Sequence, residues 1–300
     1  MDLLMFPAYK LIILFFIIFF AGVVDSIAGG GGILTIPAYL FLGLPGHNVL
    51  GTNKFSSSIG TLFATFRFAK SNKIDWTIAI FSVIFALIGS TIGSRLVLLI
   101  PVNFIKILLL ILIPIITILI LISPKIKLRK NRADLVDNPS DKTEYYFEKK
   151  FEEKIETKNN INIEVNVKKE KNKIKQKYIF YLIACFASLI IGMYDGFFGP
   201  GTGTFFILVY TYFLGMDMTI ASGNAKVVNL SSNIAALVTF LIYKKVLLPL
   251  GIICAFFSVS GNLVGSTMAI KKGSKVIRPA FILALLLLFS KVVYDLFKNG

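Results

Sequence analysis

Four charged residues stand inside long apolar stretches of this 300-residue chain: Asp25, Lys54, Asp195 and Lys226. A carboxylate or ammonium at membrane depth is costly unless it is paired, neutralised by a proton or turned toward water, so each is a functional candidate. Asp25 lies in Gly22-Val-Val-Asp25-Ser-Ile-Ala-Gly29-Gly-Gly31-Gly-Ile-Leu-Thr-Ile-Pro37, and Asp195 in Gly192-Met-Tyr-Asp195-Gly-Phe-Phe-Gly199-Pro-Gly201-Thr-Gly203-Thr. The glycines strip side chains from one face and permit unwound backbone, which opens amide groups and the start of the next helix to an anion. The plainer role for each Asp is to cap a broken helix. Lys54 stands in Gly51-Thr-Asn53-Lys54-Phe-Ser-Ser-Ser58, and Lys226 in Ser222-Gly-Asn224-Ala-Lys226-Val-Val-Asn229-Leu-Ser-Ser-Asn233. Lys supplies positive charge while amide, hydroxyl and backbone donors replace lost water, a lining suited to a small oxyanion. The alternative is a pair of mutually neutralising bridges, Asp25 with Lys54 and Asp195 with Lys226, that bind nothing. Both readings hold together if a proton arriving at Asp frees Lys for the anion.

The elements that must hold these residues are helices in a bilayer. With 56% hydrophobic residues and 28 Phe, the composition excludes an ordinary soluble globule. Apolar stretches run over 8–28, 33–44, 49–69, 77–100, 102–122, 178–197, 204–215, 219–243, 246–270 and 276–297. A bilayer core needs about 20 helical residues, which most of these supply. The stretches 33–44 and 204–215 fall short and read as half-helices or re-entrant segments, the irregular backbone tolerated where it faces protein or a watery cavity. The expected fold is therefore all-α, a multi-pass transmembrane bundle of about eight to ten spans.

An internal repeat organises the bundle. Gly22, Asp25, Gly29 and Gly31 recur 170 positions on as Gly192, Asp195, Gly199 and Gly201; at an offset of 172, Lys54 matches Lys226, Lys73 matches Lys245, and Gly89 and Gly93 match Gly261 and Gly265. The expected organisation is a first repeat over 1–123, a charged linker over 124–177 and a second repeat over 178–300. The first apolar stretch then counts as a span rather than a leader, because its counterpart lies mid-chain. The linker holds 16 of the 32 Lys and Arg and reads as solvated and cytoplasmic. Arg67, Lys70 and Lys73 fit that side, whereas Lys271, Lys272, Lys275 and Arg278 do not fit the same count, leaving parallel and inverted repeats both open. The small-xxx-small pairs Gly89/Gly93 and Gly261/Gly265 read as close helix packing.

Other classes are excluded or disfavoured. Cys185 and Cys254 sit in apolar runs and His47 is alone, so no metal site, cofactor or catalytic set is expected. The glycine clusters lack the third glycine of a dinucleotide fingerprint and any following Gly-Lys-Ser/Thr, which argues against ATP-driven transport. The chain carries a net charge of +16, but outside the linker its bases sit singly between apolar runs, the pattern of membrane anchors rather than of nucleic-acid binding.

The run Asp25-Ser-Ile-Ala-Gly-Gly-Gly-Gly32, the segment Gly51-Thr-Asn53-Lys54, and in the second half Asp195-Gly-Phe-Phe-Gly-Pro-Gly-Thr-Gly203 with Asn224-Ala-Lys226, resemble the sulfite exporter TauE/SafE family. The resemblance implies a multi-pass inner or plasma membrane transporter and carries over Asp25, Asn53, Lys54, Asp195, Asn224 and Lys226 as motif positions. With the glycines Gly29, Gly31, Gly199 and Gly201 these make the expected substrate-binding set. The expected function is secondary transport of a small anion, sulfite or another sulfur oxyanion, coupled to protons through Asp25 and Asp195. Two other classes are weighed beside it, a membrane-embedded enzyme and a scaffold that recruits a partner through the linker. Oligomeric state is not legible.

Overall fold

The computed structural model describes residues 6–101, 161–273, 275–277 and 279. Two units are distinguished, Met1–Ile122 with Tyr181–Gly300 and, separately, Ser123–Phe180; all contacts that build the site belong to the first. The helices are α1 Ala8–Ala28, α2 Gly32–Phe41, α3 Gly46–Lys70, α4 Trp76–Leu98, α5 Ile161–Phe197, α6 Thr202–Leu208 continued by a π-helical turn Val209–Phe213, α7 Met218–Ile242 and α8 Leu248–Lys272. Among the described residues there is no strand. Five segments are long and apolar enough to cross a bilayer: Ala8–Ala28, Trp76–Leu98, Tyr178–Phe197, Met218–Ile242 and Leu248–Lys272. The chain is a multi-pass helical membrane protein. The stretches 102–122 and, past its first few residues, 276–297 lie outside the described residues, as does the linker before Ile161.

With 25 residues, α3 measures about 37 Å at 1.5 Å per residue, enough to cross. It is less apolar than its neighbours because Asn53, Lys54, Ser56, Ser58 and Thr61 are buried against other helices rather than turned to lipid. The outer surface carries the opposite chemistry: Phe16, Phe66, Leu182, Phe186 and Phe256 are all more than half exposed, as lipid-facing residues are.

Helix directions follow from the close contacts. Gly261 and Gly265 of α8 press on the backbone of α1 at Phe19 and Val23, so these helices are parallel. Gly51 lies against Lys245, Gly251 against Phe55 and Gly60 against Ser258, so α3 runs with α8. Gly89 and Gly93 of α4 meet the carbonyls of Leu189 and Met193, making α4 and α5 parallel. Ser90 Oγ donates to the Ser232 carbonyl and Ser94 Oγ to Thr239 Oγ1, so α7 runs with α4. Lys54 meets Asn233 while Gly51 meets Phe240, so α7 runs against α3. Thus α1, α3 and α8 point one way, and α4, α5 and α7 the other. Small residues let these backbones approach at the places where apolar attraction between helices is weak.

Of the described bases outside the linker, Arg67, Lys70, Lys73, Lys271, Lys272 and Lys275 lie at one end of the bundle, Lys10, Arg95, Lys244 and Lys245 at the other, and Lys54 and Lys226 between them. Arg67 Nη1 donates to the Leu263 carbonyl at 3.3 Å; Lys70 and Lys73 follow it, and α8 ends at that level with Lys271 and Lys272. Ile27, Phe68, Met218, Ala269 and Ile277 share one apolar cluster there. The Phe81 ring lies 5.4 Å from Tyr181, which puts the start of the α5 span at this end too. Lys271, Lys272 and Lys275 therefore share an end with Arg67, Lys70 and Lys73, which the charge count alone had left discordant.

The two short elements are half-length, as expected. Ten residues of α2 extend about 15 Å, half a bilayer core. α1 ends at Gly29, and α2 folds back along it until Lys10 Nζ lies 5.1 Å from the Phe41 ring centroid. Two of the six acids outside the linker are spent on caps: Asp75 accepts from Thr77 and Ile78 N–H at 3.1 and 3.2 Å, and Asp217 accepts from Thr219 N–H at 2.8 Å. Asp75→Ala is expected to lower the melting temperature by the equivalent of about 1 kcal/mol.

Candidate functional site

Each half-helix begins at a glycine loop, and the two loops cross. A Cβ on Gly29 would collide with the backbone of Gly203 and Thr204, and one on Gly203 would fall 2.8 Å from Gly29 Cα. Thr204 Oγ1 donates to the Ala28 carbonyl at 3.1 Å across the same junction. Crossing carries each carboxylate past its own half of the sequence. Asp25 Oδ2 meets Lys226 Nζ at 2.6 Å, and Asp195 Oδ2 meets Lys54 Nζ at 2.7 Å. This corrects the expected pairing of Asp25 with Lys54 and Asp195 with Lys226. The reason is geometric: α1 packs on α8 and its loop reaches α7, while α5 packs on α4 and its loop reaches α3.

The environments of the pairs differ. Lys54 also donates to Asn233 Oδ1 at 2.7 Å, and Ser232 Oγ donates to Asp195 Oδ2 at 2.7 Å. Asp25 uses its second oxygen, Oδ1, to accept the Gly31 N–H at 3.1 Å. It is thus an ion-pair member whose second oxygen holds the glycine loop ahead of α2, and among the described residues no side chain caps α2 itself. Side-chain exposure is 4% and 2% for Lys54 and Asp195, and 1% and 15% for Lys226 and Asp25. Four charges this deeply buried survive only as balanced, hydrogen-bonded pairs.

Three of the four charged groups line a cavity of about 20 Å³, Asp25, Lys54 and Asp195, together with Asn53, Ser57, Asn229, Asn233 and the loop residues Gly30, Gly32, Gly199, Thr202 and Gly203. That is room for about one water-sized particle. Lys226 stands behind Asp25, off the wall of this cavity. Of the expected set, Asn53 lines it and is held by Thr35 Oγ1 at 2.6 Å. Gly29 forms the loop crossing, Gly31 donates its N–H to Asp25, and Gly201, at φ 80°, turns the chain into α6. Asn224 is elsewhere: its Oδ1 accepts the Asp75 N–H at 2.9 Å, fixing the turn before α4. Asn229 and Asn233 take the place expected of it. The signal for them was spacing, since positions three and seven residues after Lys226 fall on its face of a helix. His47 is remote, its Nε2 against the Val97 carbonyl at 3.1 Å.

A membrane bundle with two re-entrant loops and a buried, charge-balanced centre is the architecture into which the comparisons fall. The family model described as "Sulfite exporter TauE/SafE" matches residues 14–292, and the chain belongs to that family. Among curated relatives, a "Probable membrane transporter protein" of Haemophilus influenzae is 31% identical over 95% of both chains. "Probable membrane transporter protein YfcA" of Escherichia coli strain K12 is 28% identical, over 94% of this chain and 89% of that protein. "Probable membrane transporter protein ORF9" of Sinorhizobium sp is 30% identical over 96% and 94%. None of these three names specifies a substrate. No solved structure gives a significant match.

Proposed function

We propose that this protein is a secondary transporter of a small anion, of the sulfur oxyanion class that includes sulfite, and that the crossed lysines are its anion-binding groups. The observation carrying this reading is the pair of buried Lys–Asp bridges, three of whose four members line one cavity beside two glycine loops. An oxyanion entering there competes with Asp195 for Lys54 and reaches Lys226 by displacing Asp25, while Asn53, Asn229 and Asn233 replace part of its hydration shell. The family description supports the sulfur class, and the relatives' names support transport.

The opposed directions of α1, α3, α4 and α5, α7, α8 support an inverted duplication, with both halves contributing to one site at their seam. Each bridge joins the halves, so parting the bridges loosens the seam at the moment the anion is held. The excess of bases at the end that holds Arg67 and Lys271, six against four, supports a cytoplasmic placement of that end, and with it of the 124–177 linker, in an inner or plasma membrane.

In proteoliposomes, Lys54→Ala or Lys226→Ala should abolish sulfite flux in whichever variant still inserts and elutes as the wild type does. Wild-type flux in both would remove the lysines from the mechanism. A parallel screen with thiosulfate and small sulfonates identifies the class; binding of none of them would refute the sulfur assignment.

A further inference from the structure

Asp25 and Ser57 form the partition between two cavities. The second is smaller, about 10 Å³, and its polar lining comes from Asp25, Thr35, Ser56, Ser57, Ser258 and Asn262. Neither lysine of the site lines it, and Asp25 is its one charged side chain among the described residues. Its chemistry is thus the reverse of the first cavity: one carboxylate with hydroxyl and amide oxygens, a set of hard oxygen donors. Asp195 does not line this cavity: Lys54 and Ser232 hold its Oδ2 at 2.7 Å, and its side chain is 2% exposed against 15% for Asp25.

Charge bookkeeping gives the second cavity a purpose. Asp25 and Asp195 balance Lys54 and Lys226, so a monoanion taken up alone leaves a net negative charge at depth, which a bilayer opposes. We propose that the second cavity is a co-ion site, in which one monovalent cation, a proton brought by water or a sodium ion, binds Asp25 and travels with the anion. The volume admits one particle of water size. A divalent ion is disfavoured by Lys226 Nζ, 2.6 Å from the same carboxylate, and by Lys54 on α3 across the first cavity; Asp195 on α5 is the one other acid facing that cavity. The two carboxylates are then unequal: Asp25 exchanges a cation, and Asp195 stays an anchor for Lys54. What the cation accompanies rests on the anion-transport reading, but its binding does not, and it is measured without any anion substrate.

The test uses purified full-length protein. Saturable binding of ²²Na⁺ at alkaline pH identifies sodium; a pH-dependent protonated-carboxyl infrared band without sodium binding identifies the proton. Either signal should be lost in Asp25→Asn and kept in Asp195→Asn. Should Asp25→Asn not fold, Ser258→Ala leaves the carboxylate intact and should weaken sodium binding severalfold or shift the midpoint of the infrared band. The proposal is overturned if wild type gives neither signal, if the signal survives in Asp25→Asn or disappears in Asp195→Asn, or if Ser258→Ala leaves it unmoved. Failure of sulfite flux with the cation signal intact would overturn the transport reading alone.

Discussion

Replacing Lys226 by Met alone is expected to destabilise the protein by about 3–5 kcal/mol, because it strands the Asp25 carboxylate in a site with little water. Adding Asp25→Leu should restore most of the lost stability, since a bridge replaced whole by apolar groups of similar volume is often neutral. Adding Asp195→Leu instead should deepen the loss, as it strands Lys54 as well. The reciprocal cycle, Lys54→Met with Asp195→Leu against Lys54→Met with Asp25→Leu, should behave in the same way. Melting temperatures in detergent read out all of these variants. Rescue within Asp25/Lys54 or Asp195/Lys226 would reverse the crossed assignment, because coupling in a cycle belongs to residues in contact. Flux separates stability from function: the rescued Lys226→Met/Asp25→Leu protein should fold and not transport.

The same crossing marks how far the sequence could be read. Asp25, Lys54, Asp195 and Lys226 announce themselves because a charge in an apolar run has few structural excuses, and the two twelve-residue stretches announce half-helices because they cannot span. Pairing was illegible. It depends on which helix each loop reaches, and that is set by contacts such as Gly265 on Val23 and Gly93 on Met193, 242 and 100 residues apart in the chain. Direction was illegible from charge, since Lys271 and Arg67 meet at one end through packing that the spacing of spans does not encode. Asn224 drew attention by standing beside Lys226 in the motif, yet neighbours in sequence point about 100° apart on a helix, and it turns to Asp75. Asn229 and Asn233, on the face of Lys226, were the better candidates. Asp75 and Asp217 look like the site acids in composition and differ from them by standing next to helix starts at the ends of spans.

The loop crossing yields the other large effect. Gly29 has φ 73° and ψ 177°, a conformation open almost to glycine alone, and the space for its Cβ is filled by Gly203. Gly203 has no such backbone demand, but its Cβ would strike Gly29. Gly43 has φ 85° and nothing within 4 Å of a Cβ. These three separate strain from collision. Gly43→Ala should cost about 1–2 kcal/mol of backbone strain and leave transport intact. Gly203→Ala adds no strain of that kind, costs about 1–3 kcal/mol by overpacking, and should abolish flux, because parting the loops moves both carboxylates from their lysines. Gly29→Ala combines the two effects and should be the least stable of the three. If Gly203→Ala transports like wild type, the loops have slack at their crossing, and the bridges do not depend on backbone laid against backbone.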